Sequence, residues 1–452
     1  MLKIYDTETA LVSILRRKPI DEFPVSQAMR ERTIAIFGED LPPHTVVQRI
    51  LNDVRTRGDA ALIEWTQKLD GVTLTSDTIQ VSDTDIAAAY DQVDSEVVAA
   101  LERAADRIRT FHSHQPVHSW INTDLGGVLG QQIRPLDSVG VYIPGGSAPL
   151  ASTLLMTAIP ARVAGVNEVI VCSPGDRHRG AVAPITLVAA DIAEVDEVYA
   201  LGGVQAIGAM AYGSSSVPRV NKICGPGNAF VVLAKREVYG TVGIDALPGP
   251  TETVVIADES ANPAWVAADL LAQAEHTGGT AILITPSSSV AEQVNLYLSQ
   301  QITGLRNSAE IQESFELRSG AVVVSDLAEA VALADEYAPE HLCLSFQDAW
   351  NWVGRVHNAG GLFVGEHSFE VLGDYVAGPS HVMPTGGTAR FTSPCSVLDF
   401  VRVMNIIALD EITSQEISPI AIKLAQAEGL DAHAAAVKAR QDNPTNRIPS
   451  QM

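Results

Sequence analysis

The chain contains few cysteines, a minority of basic side chains and no long apolar run. Its 452 residues include 4 cysteines, which stand far apart and form no Cys-x-x-Cys pair. This spacing argues against a zinc ribbon or a thioredoxin-like motif, and scattered thiols in a long chain are typical of a reducing compartment. The 30 basic against 54 acidic residues give a net charge of −24. Such a negative field would repel nucleic acid and anionic membranes, so we expect neither as a partner.

Targeting and membrane segments are also missing from the sequence. The first eight residues include Asp6 and Glu8 and begin no long apolar run, which argues against a signal peptide. No segment of about eighteen apolar residues is free of glycine, proline and charge, as a membrane-spanning helix would require. We therefore expect a cytoplasmic protein. Hydrophobic residues make up 46% of the chain, which is enough for substantial cores.

Hydrophobic spacing divides the chain into helical and alternating regions. From residue 44 to 112 the spacing predicts helices, and from about Pro135 short β-rich runs alternate with helical runs. A second alternating block begins near Thr253. Strands that alternate with helices of roughly ten to fifteen residues indicate βαβ units on parallel sheets. Beyond residue 395 the spacing predicts helices again, including one over 396–403, and the polar tail 441–452 is expected to be disordered.

The segment Leu270–His276 places an amide and an imidazole three residues apart at the end of an apolar helical pattern. Residues at this spacing share one helix face, so Gln273 and His276 could meet one metal ion. Taken alone, such a pair more often consists of surface or capping residues. It gains weight here because other stretches carry polar residues that could complete a site.

Two of these stretches follow in the second block. Glu340 and His341 stand where a strand begins, and an adjacent acid and imidazole could divide acid–base work. The plainer interpretation is a helix-terminal glutamate and a strand histidine. Asp374 precedes the Gly/Pro-rich loop 378–387, which contains His381. Long loops are often functional, although each of these two residues alone is more typical of a turn.

Glycine-rich turns and a C-terminal histidine complete the set of candidates. Glycines let the backbone approach a ligand, and turns that lead into helices offer N–H groups to phosphates. The G-x-G-x-x-G pattern is absent, so the residues favour a nucleotide or phosphate site without specifying NAD. His433, at the predicted start of the last helix, could be a metal ligand or an ordinary helix residue. The turns are Pro144–Gly146, Gly202–Gly203, Cys224–Asn228 and Pro248–Thr251.

Taken together, these stretches resemble the histidinol dehydrogenase family from about residue 44 to 440. Several independent motifs occur in the family's order, which makes a chance resemblance very improbable. The most specific segments are Val139–Pro149 (VGVYIPGGSAP), Gly202–Ala211 (GGVQAIGAMA), Gly225–Phe230 (GPGNAF), Leu270–His276 (LLAQAEH), Pro339–Leu342 (PEHL) and Gly373–Gly387 (GDYVAGPSHVMPTGG).

The resemblance implies an α/β fold with two Rossmann-like parallel-sheet domains, small helical N- and C-terminal regions and an intertwined homodimer. The expected parts of the chain are an N-terminal extension, 1–35, that packs with the C-terminal region; a discontinuous first α/β domain, 36–138 plus 251–394; a second, NAD-binding α/β domain, 139–250; a C-terminal helical region, 395–440, that reaches the partner's active site; and the tail, 441–452.

The resemblance also implies roles for individual residues. Glu340 and His341 match the acid–base pair. The positions of the zinc ligands are matched by Gln273, His276, Asp374 and His433, with one Zn²⁺ per subunit. The substrate-contacting positions are matched by Thr251, Gln273, His276, His341, Asp374, Glu428 and His433. The NAD-contacting positions are matched by Tyr142, Gln205 and Asn228. Glu428 and His433 would reach the active site of the partner subunit.

The implied reaction is the oxidation of L-histidinol by two NAD to L-histidine, the last step of histidine biosynthesis, through bound L-histidinaldehyde. His341 suits the base that takes the hydroxyl proton, and Glu340 suits the activation of water. Thr251 stands where the family more commonly has serine, and it keeps the hydroxyl. For His381 an assisting role and a loop-shaping role both remain open, and we favour shaping. One rival function is oxidation of another small alcohol, such as a sulfonated diol, by a paralogue. Another is a catalytically silent zinc- or nucleotide-binding protein.

Overall fold

The computed structural model describes residues 1–17, 27–145 and 149–442. Gly146 of one predicted glycine turn and residues 443–452 of the tail lie outside the described residues, whereas residues 441–442 are helical. The chain divides into two compact units. The first comprises Met1–Gln115 and Leu136–Phe400, and the second comprises Pro116–Pro135 and Val401–Met452.

The described strands, in chain order, are β1 (Ile4–Asp6), β2 (Trp120–Asn122), β3 (Val128–Pro135), β4 (Ser138–Tyr142), β5 (Glu168–Cys172), β6 (Glu197–Tyr199), β7 (Lys222–Cys224), β8 (Gly243–Ile244), β9 (Glu252–Ala257), β10 (Thr280–Thr285), β11 (Gly320–Val323), β12 (His341–Ser345), β13 (Gly361–Val364) and β14 (Val401–Ala408). The described α-helices are α1 (Thr7–Val12), α2 (Gln27–Phe37), α3 (Pro43–Arg57), α4 (Asp59–Asp70), α5 (Asp83–Tyr90), α6 (Ser95–Ser113), α7 (Ala151–Ala164), α8 (Pro184–Ile192), α9 (Gly203–Tyr212), α10 (Ala229–Val238), α11 (Pro263–Ala274), α12 (Ser288–Gln301), α13 (Ser308–Leu317), α14 (Leu327–Tyr337), α15 (Glu370–Tyr375), α16 (Glu411–Ala427) and α17 (Asp431–Asp442). Short 3₁₀ helices cover Ala349–Arg355, Thr388–Arg390 and Val397–Phe400.

A parallel sheet with strand order β1-β11-β10-β9-β12-β13 forms one half of the first unit. Its inner strands are apolar along their length because helices cover both faces, as parallel sheets require. The sequence predicted that residues 1–35 pack with the C-terminal region, and the edge strand β1 shows a different arrangement. Ile4–Asp6 instead pairs with β11, and Ala10 and Leu15 enter the hydrophobic core on this sheet.

A second parallel sheet, with order β6-β5-β4-β7-β8, forms the other half of the first unit. The helices predicted between residues 44 and 112 are present, but they pack on this sheet. Ile50 of α3 and Ile108 of α6 share one core with Val139 and Leu154. The predicted domain 36–138 plus 251–394 therefore differs from the packing in the structure. An apolar helix face indicates that a helix is buried, but not which sheet it covers.

The second unit contains an antiparallel sheet, β14-β3-β2, with helices α16 and α17. The predicted helix over 396–403 is wrong. Only Val397–Phe400 is helical there, as a 3₁₀ turn, and Val401–Ala408 pairs along the whole of β3. This strand is rich in Val and Ile, whose branched side chains favour strands, and its pairing with β3 outweighs the helical spacing of residues 396–403.

Two expectations about the chain as a whole can be compared with the fold. The mixed α/β architecture with parallel sheets is confirmed. No helix among the described residues is long and apolar enough to cross a membrane. All four cysteines are buried and unpaired by disulfides.

Candidate active site

The predicted acid–base residues lie at the amino edge of the first sheet. His341 begins β12 and Glu340 immediately precedes it, Thr251 immediately precedes β9, and the register sets His341 opposite Thr253. Because parallel strands start at the same edge, these side chains come together. Ligands of open α/β sheets usually bind at the opposite, carboxyl edge, so sheet topology alone would not have located this cluster.

Thr251 connects two buried polar side chains. Its hydroxyl oxygen lies 2.9 Å from Gln273 Oε1 and 2.7 Å from Glu340 Oε2. The same Glu340 oxygen accepts a bond of 3.1 Å from the Glu252 N–H, and Gln273 Nε2 donates to Asp374 Oδ2 over 3.3 Å. A hydroxyl has one proton to donate, so a protonated Glu340 would satisfy both Thr251 contacts at once.

His341 is oriented by its backbone and carboxylate neighbours. Its Nδ1 lies 3.3 Å from the Glu252 carbonyl oxygen, a partner that can only accept. Nδ1 therefore carries the proton in the neutral ring, and Nε2 keeps its lone pair. Within the described residues Nε2 makes no hydrogen bond of good geometry, although Asp374 Oδ1 lies 3.4 Å away. Nε2 thus faces the Asp374 carboxylate, a neighbour that favours the protonated ring.

Burial and neighbouring charges shift the pKa values of these groups. Burial raises the pKa of Glu340 to about 7, and it outweighs the opposing charge of His341. Burial by itself would lower the pKa of His341, but the charges of Glu370 and Glu340 and the contact with Asp374 raise it to about 10. Burial also opposes ionisation of Asp374. The hydrogen bond with His341 and the charge of that ring nevertheless hold the pKa of Asp374 below its usual value. Both Glu340 and His341 are therefore poised for proton exchange outside their ordinary pH ranges.

Glu370 is a residue that the sequence reasoning missed. It is fully buried, accepts a 2.5 Å bond from Thr253 Oγ1, and has Cys343 Sγ 3.7 Å from the same oxygen. Burial raises the pKa of Glu370 to about 7. Its spacing of one helical turn before Asp374 was the available signal, since residues four apart share a face of α15. By its position alone, a glutamate in the first turn of a helix is expected to be exposed and to interact with the helix dipole.

The structure does not place Gln273 and His276 on one helix face, where the sequence predicted them. Helix α11 ends at Ala274, so His276 lies in the turn beyond it and the two residues do not share a helix face. The turn continues to Gly278, which takes a φ of +80° and lies close to Pro250. His276 is exposed, but its charge still acts on the Asp374 carboxylate. Gln273 is 2% exposed.

His381 ties this cluster to the second sheet's half of the unit. Its Nδ1 lies 2.5 Å from the Asp374 carbonyl oxygen, and its Nε2 lies 2.9 Å from Thr153 Oγ1 in the first turn of α7. Ser380, its neighbour, donates to the Met156 carbonyl over 2.9 Å. Both ring nitrogens of His381 are thus engaged by protein atoms. Asp374 itself lies in the short helix α15 rather than in a loop.

The residues matched to NAD contacts gather at the carboxyl edge of the second sheet. Tyr142 ends β4, and its hydroxyl accepts a 3.0 Å bond from the Gly203 N–H. Gln205 is fully buried in α9 and donates to Asp70 Oδ2 over 2.9 Å, while its Oε1 has no partner among the described residues. Asn228 caps α10 and lines a cavity with Asp70 and Gly203. This edge is where open α/β sheets bind ligands.

Glu428 and His433 belong to the second unit. Glu428 caps the C-terminus of α16, and His433 is the third residue of α17, as predicted for the start of the last helix. Both side chains are exposed. Within the ranges that the structure describes, no group of three or more His, Cys, Asp or Glu side chains could hold a metal ion. Any metal site built on Asp374 and His276 therefore needs the Gln273 amide and a further ligand.

Comparisons with known proteins agree along nearly the whole chain. A family model for histidinol dehydrogenase matches residues 41–441. A histidinol dehydrogenase of Deinococcus radiodurans is 50% identical over 425 residues, which cover 94% of this chain and 96% of the relative. One from Thermus thermophilus is 49% identical over 397 residues, covering 88% and 94%. A crystal structure of histidinol dehydrogenase from Elizabethkingia anophelis superposes with a TM-score of 0.88 at 34% identity, covering 98% of each chain.

Proposed function

The chain belongs to the histidinol dehydrogenase family, and from this premise we propose that it oxidises L-histidinol to L-histidine with two NAD, through bound L-histidinaldehyde. Membership implies histidinol oxidation in histidine biosynthesis. The observation that carries the fuller proposal is the hydrogen-bonded cluster of Thr251, Gln273, Glu340 and Asp374 around the free Nε2 of His341.

His341 is the group that takes the substrate's hydroxyl proton. Its Nδ1 faces the Glu252 carbonyl, so Nε2 is the ring atom that exchanges a proton; the neighbouring carboxyl groups favour the protonated ring, and the base is the neutral ring left when Nε2 loses that proton. Glu340, with a pKa of about 7, can give and take a proton near neutrality, and it would activate water for the aldehyde stage. NAD, when bound, supplies the hydride acceptor for both oxidations. Tyr142, Gln205 and Asn228 would hold it at the carboxyl edge of the second sheet, and His381 bridges Asp374 to α7 beside that edge.

The residues present fit a zinc ion. Gln273, His276, Asp374 and the partner's His433 would hold it with oxygen and nitrogen atoms, which zinc accepts. Asp374 keeps a lowered pKa, as an ionised ligand needs. Glu340, Glu370 and Asp374 place three carboxyl groups around the single imidazole of His341, and a cation here would favour their ionised forms. Zinc, when bound, supplies a template that orients the substrate.

A homodimer would complete this site. Helix α16 buries none of its residues, and Ile412, Ile420 and Leu424 are 78%, 59% and 60% exposed. In β14, Ile407 is 75% exposed. Exposed apolar rows of this kind mark interaction surfaces, and we propose that a second copy of the chain covers them. Glu428 and His433, which lie beside this surface in sequence, would then act in the partner's site.

NADH yield tests the proposed reaction. Purified protein is mixed with a limiting amount of L-histidinol and excess NAD, and absorbance records the NADH formed. A four-electron oxidation releases two NADH for each histidinol consumed and leaves histidine as the product. A yield of one, or turnover only with another small alcohol such as a sulfonated diol, would assign the chain to a paralogous activity instead.

A further inference from the structure

The turn that leads into α10 is shaped by a glycine with little free space. Gly225 has a φ of +111°, in the region that favours glycine. A Cβ built there would lie 2.2 Å from the Tyr142 carbonyl oxygen, so the two backbones are in direct contact. Asn228, three residues later, begins the helix, and its Oδ1 accepts bonds from the Phe230 and Val231 N–H groups. The position of the Gly225 peptide thus sets the distance between Tyr142 and Asn228.

A buried ion pair holds that glycine on both sides. Lys235 Nζ donates to the Gly225 carbonyl oxygen over 2.8 Å, and Asp245 Oδ2 accepts a 2.8 Å bond from the Gly225 N–H. Lys235 and Asp245 also pair with each other, and their side chains are 1% and 5% exposed. Lysine is almost never fully buried, because removing its charge from water is costly. A core helix position would ordinarily hold an apolar residue.

We propose that Lys235 and Asp245 are positioning residues, which clamp the Gly225 peptide so that Tyr142 and Asn228 are held ready for the dinucleotide. The clamp reaches the cofactor edge through Asn228, whose Oδ1 is used by the helix cap and whose Nδ2 remains to donate to a ligand. The inference rests on the proposed NAD function. It adds two residues that touch neither substrate nor cofactor but set the geometry of those that do.

The rival interpretation is that the pair only stabilises the fold. The chain offers a matched control for it, because Lys222 forms a second ion pair on the same sheet. Lys222 Nζ donates to the carbonyl and carboxylate oxygens of Asp399 over 2.7 and 3.1 Å, and neither of these bonds goes to Gly225 or Asp245. Lys222→Met therefore removes a half-buried lysine pair without loosening the clamp.

The test compares Lys235→Met, the double variant Lys235→Met/Asp245→Leu and Lys222→Met with the unchanged protein. Calorimetric titration gives Kd for NAD and for histidinol, and thermal unfolding gives Tm. Replacing both charges by apolar groups commonly restores stability lost when only one partner is removed. The double variant still leaves the Gly225 N–H and carbonyl without their partners. Its Tm should therefore recover while its affinity for NAD stays low.

We expect Lys235→Met and the double variant to weaken NAD binding by about tenfold or more, because the Gly225 peptide is then no longer held and the site loses its preorganisation. Histidinol affinity should stay near the unchanged value, and the double variant should regain Tm without regaining NAD affinity. Native NAD affinity in the double variant would overturn the clamp, as would equal weakening by Lys222→Met. If the unchanged protein binds no NAD, the proposed function fails instead.

Discussion

Thr251 offers a sharp test of the candidate site, because one hydroxyl joins a predicted metal ligand to a predicted acid–base residue. Thr251→Val keeps the shape and removes the oxygen that lies 2.9 Å from Gln273 Oε1 and 2.7 Å from Glu340 Oε2. Gln273 and Glu340 are only 2% and 7% exposed, so water cannot readily replace the lost partner. Leaving such buried groups unpaired costs about 1–3 kcal/mol.

The effect on function should exceed that on stability. Partners that orient metal ligands typically change metal affinity or activity by roughly 10–100-fold when they are removed. We therefore expect Thr251→Val to lower zinc affinity and kcat/KM by factors in that range. Thr251→Ser keeps the hydroxyl and removes one methyl group, at about 1 kcal/mol and with near-normal turnover.

Three measurements check this reasoning on the same preparations. Denaturant unfolding gives the stability change, competition with a chelator gives zinc affinity, and initial rates give kcat/KM. The reasoning is refuted if the valine variant keeps native zinc affinity and turnover. It is equally refuted if serine is as damaging as valine, because the methyl group and not the hydroxyl would then matter.

Three further predictions address other parts of the protein. His341→Asn should lower turnover by at least about a hundredfold, the usual worth of a general base, with near-normal zinc content; unchanged rates would reject His341 as the base. Mixing inactive Asp374→Ala and His433→Ala subunits should restore part of the activity in verified heterodimers, and no recovery would contradict a shared site. Burial raises the pKa of Asp70 from 3.8 to about 6 against the charges of Arg32 and Arg177. The raised pKa favours the neutral form in the folded state, so this contribution is present at low pH and lost as pH rises from about 4 to 6, by up to roughly 3 kcal/mol. Unfolding free energies of the unchanged protein and Asp70→Asn should diverge over that window, and parallel pH profiles would exclude such a shift.

Local patterns predicted the elements well where packing and local preference agree. The helices between residues 44 and 112 and the strands of the parallel sheets follow from hydrophobic spacing and from branched side chains. Prediction failed where a partner strand decided the outcome. The helix predicted over 396–403 is absent because Val401–Ala408 pairs with β3 over eight residues in register.

The candidate site divides in the same way. The residue types of Glu340, His341 and Asp374 could be selected from motifs, since acid–base and ligand chemistry depends on side-chain identity. The burial of Glu370 could not, because it depends on how α15 meets β9 and β12. The helix-face argument for His276 failed because α11 ends at Ala274, two residues before the histidine.

The sequence by itself determined the family, the alternation of strands and helices, and the chemical groups available for catalysis, since all three are expressed in short segments. Only the tertiary structure decided which sheet the N-terminal helices cover, that β1 extends the first sheet, and that the acid–base residues meet at its amino edge. It also decided the buried environment that raises the pKa of Glu340 to about 7. These properties depend on contacts between residues far apart in the chain, and such contacts cannot be predicted from a short segment alone.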